Sequence, residues 1–268
     1  MSNDLYTGAA WYYARFRPFY PEQEIDEIVD FFSLSATSRF LDMGSGTGQL
    51  AIQLAERVGG IVAVEPDDEM FVEGKSHAER KGATNIRWIK SKAEEVVSMP
   101  DLGLFDLVSF ATSFHWMDRD AILQTLDRMV KPTGGILVTG TSSLWEGTEE
   151  WELVAKKTIQ KYLGKERRAG SATFEQLSQK NDPHPDALRR SPFSAVEETR
   201  YHFVERERTL EEVVGLVYSM SFASPALFGE RKEEFESELR HALLVLSPSG
   251  VFLKKERFYA LFAKRASC

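Results

Sequence analysis

Between Arg39 and Thr139 the chain repeats one rhythm: a short apolar run, a turn, then a stretch whose apolar residues recur at helical spacing. The apolar runs are Phe40–Met43, Ile61–Glu65, Ile86–Ile89, Phe105–Phe110 and Ile136–Thr139. Ile61 to Val64 is continuously apolar, as suits a strand covered on both faces. The helical stretches fall at 48–58, with Leu50, Leu54 and Val58 on one face and Gly59-Gly60 after them, at 68–81, closed by Gly82, and at 120–130, where Ile122, Leu123, Leu126, Met129 and Val130 align. Lys131-Pro132-Thr133-Gly134-Gly135 breaks the last of these. Parallel strands need long crossovers, usually helical, so this alternation predicts an α/β fold: a doubly wound, mostly parallel sheet with helices on both faces.

Outside that region the rhythm loosens. Ile25, Ile28, Val29 and Phe32 predict a helix from about Pro21 to Phe32. Ahead of it Trp11 to Pro21 is unusually aromatic, which suits either a flap on the core or a lid over a ligand. Residues 145–200 are charged and mainly helical in pattern, with a polar break at 181–185, and suggest an insertion or cap. A strand at 201–206, helices at 210–218 and 230–246, and a last strand at 258–263 complete the chain. The expected divisions are 1–35 (aromatic lid and first helix), 36–142 (core), 143–200 (helical cap) and 201–268 (C-terminal part of the core sheet).

Charge and cysteine content narrow the chemistry. Lys and Arg number 33 against 41 Asp and Glu, a net charge of −8, which disfavours a polyanionic nucleic-acid partner. The single cysteine, Cys268, precludes an internal disulfide framework or a multi-thiolate zinc site and fits a reducing compartment. No apolar run approaches the length of a membrane span, and residues 1–17 lack the apolar core of a secretory signal, so the expectation is a cytoplasmic protein without a membrane partner.

The densest signal is Leu41-Asp42-Met43-Gly44-Ser45-Gly46-Thr47-Gly48, between a strand and a helix. Glycines there permit a sharp turn and close approach of a ligand to the main chain, at the place where doubly wound sheets bind ligands. A dinucleotide fingerprint would read G-x-G-x-x-G, but here Gln49 stands at the third glycine position. Asp42, just upstream, suits an ammonium group better than a pyrophosphate. Glu65 ends the second strand, where a carboxylate can accept bonds from both ribose hydroxyls of an adenosine or cap the following turn.

These residues resemble the class I S-adenosylmethionine-dependent methyltransferases, in particular their small-molecule branch of the type 11 and trans-aconitate methyltransferase kind. The likeness extends to Val64-Glu65-Pro66-Asp67 with Met70, to Lys92-Ala93-Glu94-Glu95, to Phe105-Asp106-Leu107-Val108 with Phe110-Ala111, to His115-Trp116, and to Val130 to Gly135. It covers residues 10–140 well and 145–200 weakly. The resemblance implies a Rossmann-like sheet of seven strands with the last antiparallel. It also implies S-adenosyl-L-methionine as cofactor and S-adenosyl-L-homocysteine as product. The cofactor-binding residues it implies are Asp42, Gly44, Ser45, Gly46, Gly48, Glu65, Pro66, Met70, Ala93, Glu94, Phe110 and Ala111.

Several subclasses lack their chemistry here. Ser109-Phe110-Ala111-Thr112 replaces the N/D-P-P-Y/F loop of adenine methylation, no cysteine nucleophile is available for cytosine, and no glutamate pair follows the fourth strand for arginine. Asp118 and Asp120 fit helix capping better than a metal site, so no metal is expected. What remains is in-line transfer to a small molecule, carboxylate or hydroxyl among the options, with His115 as candidate base or as a structural histidine. Tyr13, Arg17, Tyr20 and Trp116 are the candidate substrate or lid residues, Arg17 through a carboxylate. A non-catalytic cofactor-binding regulator and a dinucleotide oxidoreductase are the rival readings. The pattern carries no signature of oligomeric state.

Overall fold

The computed structural model describes residues 5–96, 98–99, 102–170, 172–177 and 183–266. Cys268 and part of the polar break at 181–185 lie outside the described residues. The described chain divides into two compact units. Unit 2 comprises Phe19–Gly140, Ser178–His202 and Phe258–Cys268, and unit 1 comprises Met1–Pro18, Thr141–Leu177 and Phe203–Arg257.

Unit 2 holds the alternating region. Its strands β1 (Arg39–Met43), β2 (Gly60–Val64), β3 (Ile86–Ile89), β4 (Phe105–Ala111) and β5 (Val130–Thr141) pair in parallel in the order β3-β2-β1-β4-β5, the last residue of β5 reaching into unit 1. Helices α2 (Glu22–Phe32), α3 (Gln49–Leu54), α4 (Asp68–Lys81), α5 (Ala93–Val96) and α6 (Arg119–Leu126) precede and connect them. The strand β10 (Val251–Lys264) lies beside β5, and the two-residue β8 (Ala195–Val196) beyond it, antiparallel to β10. β10 is antiparallel to β5: Gly135 meets the Ala263 carbonyl and the Thr139 hydroxyl meets that of Tyr259, so one strand ascends as the other descends. With β9 (Arg200–Thr209) paired to β10, the sheet has eight strands, the two-residue β8 adding to the seven expected.

Other differences have local causes. The helix expected to Val58 ends at Leu54, and the one expected over 120–130 ends at Leu126, because Val130 already pairs with Phe105. Lys131 to Gly135 is a bulge within β5, the register passing from Phe105↔Val130 to Leu107↔Gly135. Leu41, Met43, Val62, Val64, Val108, Phe110, Ile136 and Val138 are buried in one cluster with α6. Each such side chain contributes roughly 1.5–3 kcal/mol on burial.

Unit 1 has a separate core. Helices α7 (Glu150–Leu163), α10 (Leu210–Tyr218), α11 (Pro225–Phe228) and α12 (Lys232–Leu246) supply Trp151, Tyr162, Val217, Tyr218, Phe228, Phe235 and Leu239 to it, and α1 (Ala10–Phe16) packs Tyr12 against it. The hairpin β6 (Arg168–Ala169) and β7 (Ala172–Thr173) leads into the short α8 (Phe174–Leu177), and α9 (His184–Arg189) returns the chain to unit 2. α1 packs on α10 where Gly215 leaves room: an added Cβ would stand 2.2 Å from the Phe16 ring. Among the described residues of the segment read as helical, 143–200, only α7 is a helix of several turns.

Candidate functional site

The strand order reverses between β1 and β4, the place where ligands bind outside the carboxyl ends of an open sheet. The glycine turn follows β1 there. Gly44, Gly46 and Gly48 have φ of 72°, 55° and 82°, left-handed values that a side chain resists. Gly44 and Gly48 are also closed on by neighbours. An added Cβ would lie 2.6 Å from the Ser113 Cβ and 2.9 Å from the Trp88 ring, respectively.

The turn is held from several sides. The amides of Gly44 and Ser45 both donate to the Val64 carbonyl at 2.9 Å. Glu65 accepts from the Gly46 amide at 2.8 Å and from the Asp67 amide at 2.9 Å, one to each oxygen. It thus caps the following turn, and each oxygen keeps a second lone pair for a hydroxyl. Asp67 in turn caps α4 by accepting from the Met70 amide at 2.9 Å, and Met70 is buried. Pro66 lies in this same turn.

Asp42 is fully buried beneath the turn. Its Oδ1 accepts from the Ser109 hydroxyl at 2.6 Å, while Oδ2 has no partner among the described residues. Burial pushes its carboxyl up to about 7, against the lowering effect of Ser109. Burial likewise lifts Glu65 to about 7, opposed by the Asp67 and Gly46 amides and helped by the nearby Asp67 and Asp42 charges. Two carboxyls that ionise reluctantly, one with an unused oxygen, form a cradle for a ligand that brings donors or positive charge. The missing partner of Asp42 Oδ2 is what the ammonium and hydroxyl groups of an amino-acid nucleoside would supply.

The other expected residues sit around this turn or away from it. Ala93 is buried at the start of α5 and Glu94 beside it is exposed. Phe110 is fully buried and Ala111 half-buried at the end of β4. His115 and Trp116 lie in a short 3-10 turn with ring centres 4.4 Å apart, Trp116 buried and His115 half-buried. Tyr20 is buried, and its backbone exchanges two 2.8 Å hydrogen bonds with the Gln53 side chain. Tyr13 and Arg17 belong to unit 1. Asp118 caps α6 through the Ala121 amide, and Asp120 pairs with Arg190 at 3.1 Å.

Several neighbours of the turn escaped the sequence reading. Ser113 donates to the Met43 carbonyl at 2.5 Å and ties the ends of β1 and β4 together. Thr112 has φ of 58°, a strained left-handed value for a β-branched residue, at the mouth of β4. His77 Nδ1 donates to the Thr47 carbonyl at 2.9 Å, and burial lowers its basicity. The signal for His77 was spacing: Met70, Gly74 and His77 fall on one buried face of α4. Ser109 stands opposite Asp42 in the β1–β4 register, which spacing along one segment cannot disclose.

Comparison with known proteins agrees with this geometry. The profile of a methyltransferase-domain family matches residues 40–134. Over that stretch the chain is similar to methyltransferase domains, and the order of its sheet is that of their Rossmann-like fold. That domain is 33% identical over 122 residues to an uncharacterized methyltransferase of Mycobacterium tuberculosis, covering 46% of either chain. It is 36% identical over 101 residues to the tRNA 5-carboxymethoxyuridine methyltransferase of Escherichia coli, covering 37% of this chain and 38% of that one. The chain spans about half the length of the curated relatives it matches. The methyltransferase fold extends further: a structure from Anaeromyxobacter dehalogenans, provisionally assigned as a type II methyltransferase, superposes with a TM-score of 0.57 at 18% identity, over 93% of this chain and 98% of that one.

Proposed function

We propose that this protein transfers a methyl group from S-adenosyl-L-methionine to a small-molecule acceptor by in-line displacement, releasing S-adenosyl-L-homocysteine. The observation that carries the reading is the buried Asp42 carboxyl with an unpartnered oxygen, set under a glycine turn at the point where strand order reverses. When bound, S-adenosylmethionine supplies a methyl group already activated on a sulfonium. The protein's own residues then have to bind, align and exclude water. Asp42 and Glu65 would hold the amino-acid and ribose ends. Gly44, Ser45, Gly46 and Gly48 would give the main chain access, and Pro66, Met70, Ala93, Glu94, Phe110 and Ala111 would line the adenosine. Tyr13, Arg17, Tyr20 and Trp116 would serve the acceptor.

His115 is the proposed base for an acceptor that must lose a proton, and His115→Ala should lower kcat by about 100-fold while leaving S-adenosylhomocysteine affinity nearly intact. Wild-type turnover in that variant makes the residue structural. The net charge of −8 favours a small acceptor over a tRNA, and the reducing compartment suggested by a single thiol favours the cytoplasm. The name of the E. coli relative nevertheless supports an acceptor with a carboxyl-bearing substituent. The test is calorimetric titration with S-adenosylhomocysteine, with NAD as control. Micromolar binding of the former alone is expected, and preference for NAD overturns the reading.

A further inference from the structure

The buried face of α4 carries a histidine that neither the cradle nor the transfer step uses. His77 is 3% exposed, and its Nδ1 lies 2.9 Å from the Thr47 carbonyl oxygen, in the middle of the glycine turn. A carbonyl only accepts, so Nδ1 carries the hydrogen and the tautomer is set. Three residues earlier, Gly74 lets the same helix come close to the same strip of backbone. A Cβ on Gly74 would stand 3.1 Å from the Gly46 carbonyl oxygen, and also against the Trp88 ring. The carbonyls of Gly46 and Thr47 therefore both face α4.

That orientation decides where the next amide points. A trans peptide sets its C=O and N–H in opposite directions, so with the Gly46 carbonyl against α4 the Thr47 N–H is turned away from the helix. The amides on either side are already used: Gly46 donates to Glu65 at 2.8 Å and Gly48 to the Ser45 carbonyl at 2.9 Å. The Thr47 amide has no acceptor among the described residues, although Thr47 is fully buried. A buried amide is costly to leave unpaired, so an acceptor atom of a ligand completes this one.

The imidazole does this work uncharged. Burial lowers its pKa, the Thr47 carbonyl and Glu73 oppose that, and Arg80 and Lys81 add to it. The Phe19 ring, with its centre 5.7 Å away, is a further apolar neighbour.

We propose that His77 is a positioning residue for cofactor binding: it holds the Thr47 peptide against α4, so that the Thr47 amide is aimed at the ligand and the turn is in place before the ligand arrives. It touches no reacting atom and acts through Thr47. The ligand clause rests on the reading of the turn as an S-adenosylmethionine site; the holding of the turn does not.

The test uses the full chain and two single variants. His77→Leu fills the space of the ring and loses the donor, and His77→Asn keeps a side-chain N–H close to the place of Nδ1. Each is read by calorimetry with S-adenosylhomocysteine, by amide hydrogen exchange of peptides covering 44–48, and by thermal unfolding. His77→Leu is expected to weaken binding about tenfold and to speed exchange in the turn, and His77→Asn to stay within about twofold of wild type in both. A residue that only packs would give the opposite order, since Leu fills the space better than Asn. Wild-type affinity in His77→Leu, or equal losses in the two variants, overturns the proposal. Should His77→Leu fail to fold, Gly74→Ala probes the same contact: its added methyl group pushes the Gly46 carbonyl off α4, a severalfold loss of affinity is expected, and unchanged affinity overturns the proposal. Faster exchange in His77→Leu in a protein that binds no S-adenosylhomocysteine at all overturns the cofactor reading and leaves His77 as the holder of the turn.

Discussion

Unit 2 buries acids without counter-charges, whereas unit 1 buries its charges in pairs. In unit 2, Asp42 Oδ2 and Glu24 Oε2 lack a partner among the described residues. In unit 1 the buried Arg208 is paired with Glu256 and the buried Lys254 with Glu152. An orphaned carboxylate is completed by a donor, whereas a paired charge already has its partner.

The contrast is broken most directly at Asp42. Asp42→Ala should weaken S-adenosylhomocysteine binding by about 100-fold, the loss of a charge-assisted bond in a buried setting, while the cooperative thermal transition is retained. Loss of that transition would mean that the variant has simply unfolded.

A smaller effect sharpens the contrast through pH. Asp42 and Glu65 are both raised to about 7, and ligand donors favour their ionised forms. Binding of S-adenosylhomocysteine should then strengthen as pH rises from 6 to 8, by up to about tenfold per unit for each acid coupled to it, with proton release visible as a dependence on buffer enthalpy. Flat affinity over that range would detach these carboxyls from the ligand.

The smallest effect concerns Glu24, which has no part in the cradle. The Thr139 hydroxyl is 2.6 Å from Glu24 Oε1 and 2.7 Å from the Tyr259 carbonyl. A carbonyl can only accept, so the single hydroxyl hydrogen serves it, and a protonated Glu24 donates to Thr139. This agrees with a carboxyl raised from 4.5 to about 8, chiefly by burial, with Glu27 adding to it. The folded state keeps a proton that the unfolded chain releases near 4.5. The stabilisation is complete below that value and is lost as pH rises towards 8. Glu24→Gln should remove this slope and melt roughly 2–4 °C above wild type at pH 8. Unchanged pH dependence of Tm would show that Glu24 is charged in the folded protein.

Sequence legibility divides along the same line as the charges. β1 to β4, α4 and the glycine turn were readable because each is one contiguous segment with its own period or composition. Asp42 and Glu65 were readable because each sits a fixed distance from that turn. Ser109 and Ser113 were not, since their roles depend on which strand lies beside β1. The buried pairs of unit 1 were not readable either, since Arg208 and Glu256 lie 48 positions apart and Lys254 and Glu152 102, relations that leave no periodic trace. The strand at 130–135 was hidden by its own bulge, where Pro132, Gly134 and Gly135 read as a turn.

The indole of Trp88 fills the space that Gly48 and Gly74 leave open, with its ring atoms 2.9 and 2.5 Å from where their Cβ atoms would be. That places a fluorophore directly against the glycine turn, the part of the molecule whose state matters most. With the other four of the five tryptophans changed to phenylalanine, its emission would follow the turn in real time, so that the rate of ligand arrival could be timed with no label attached.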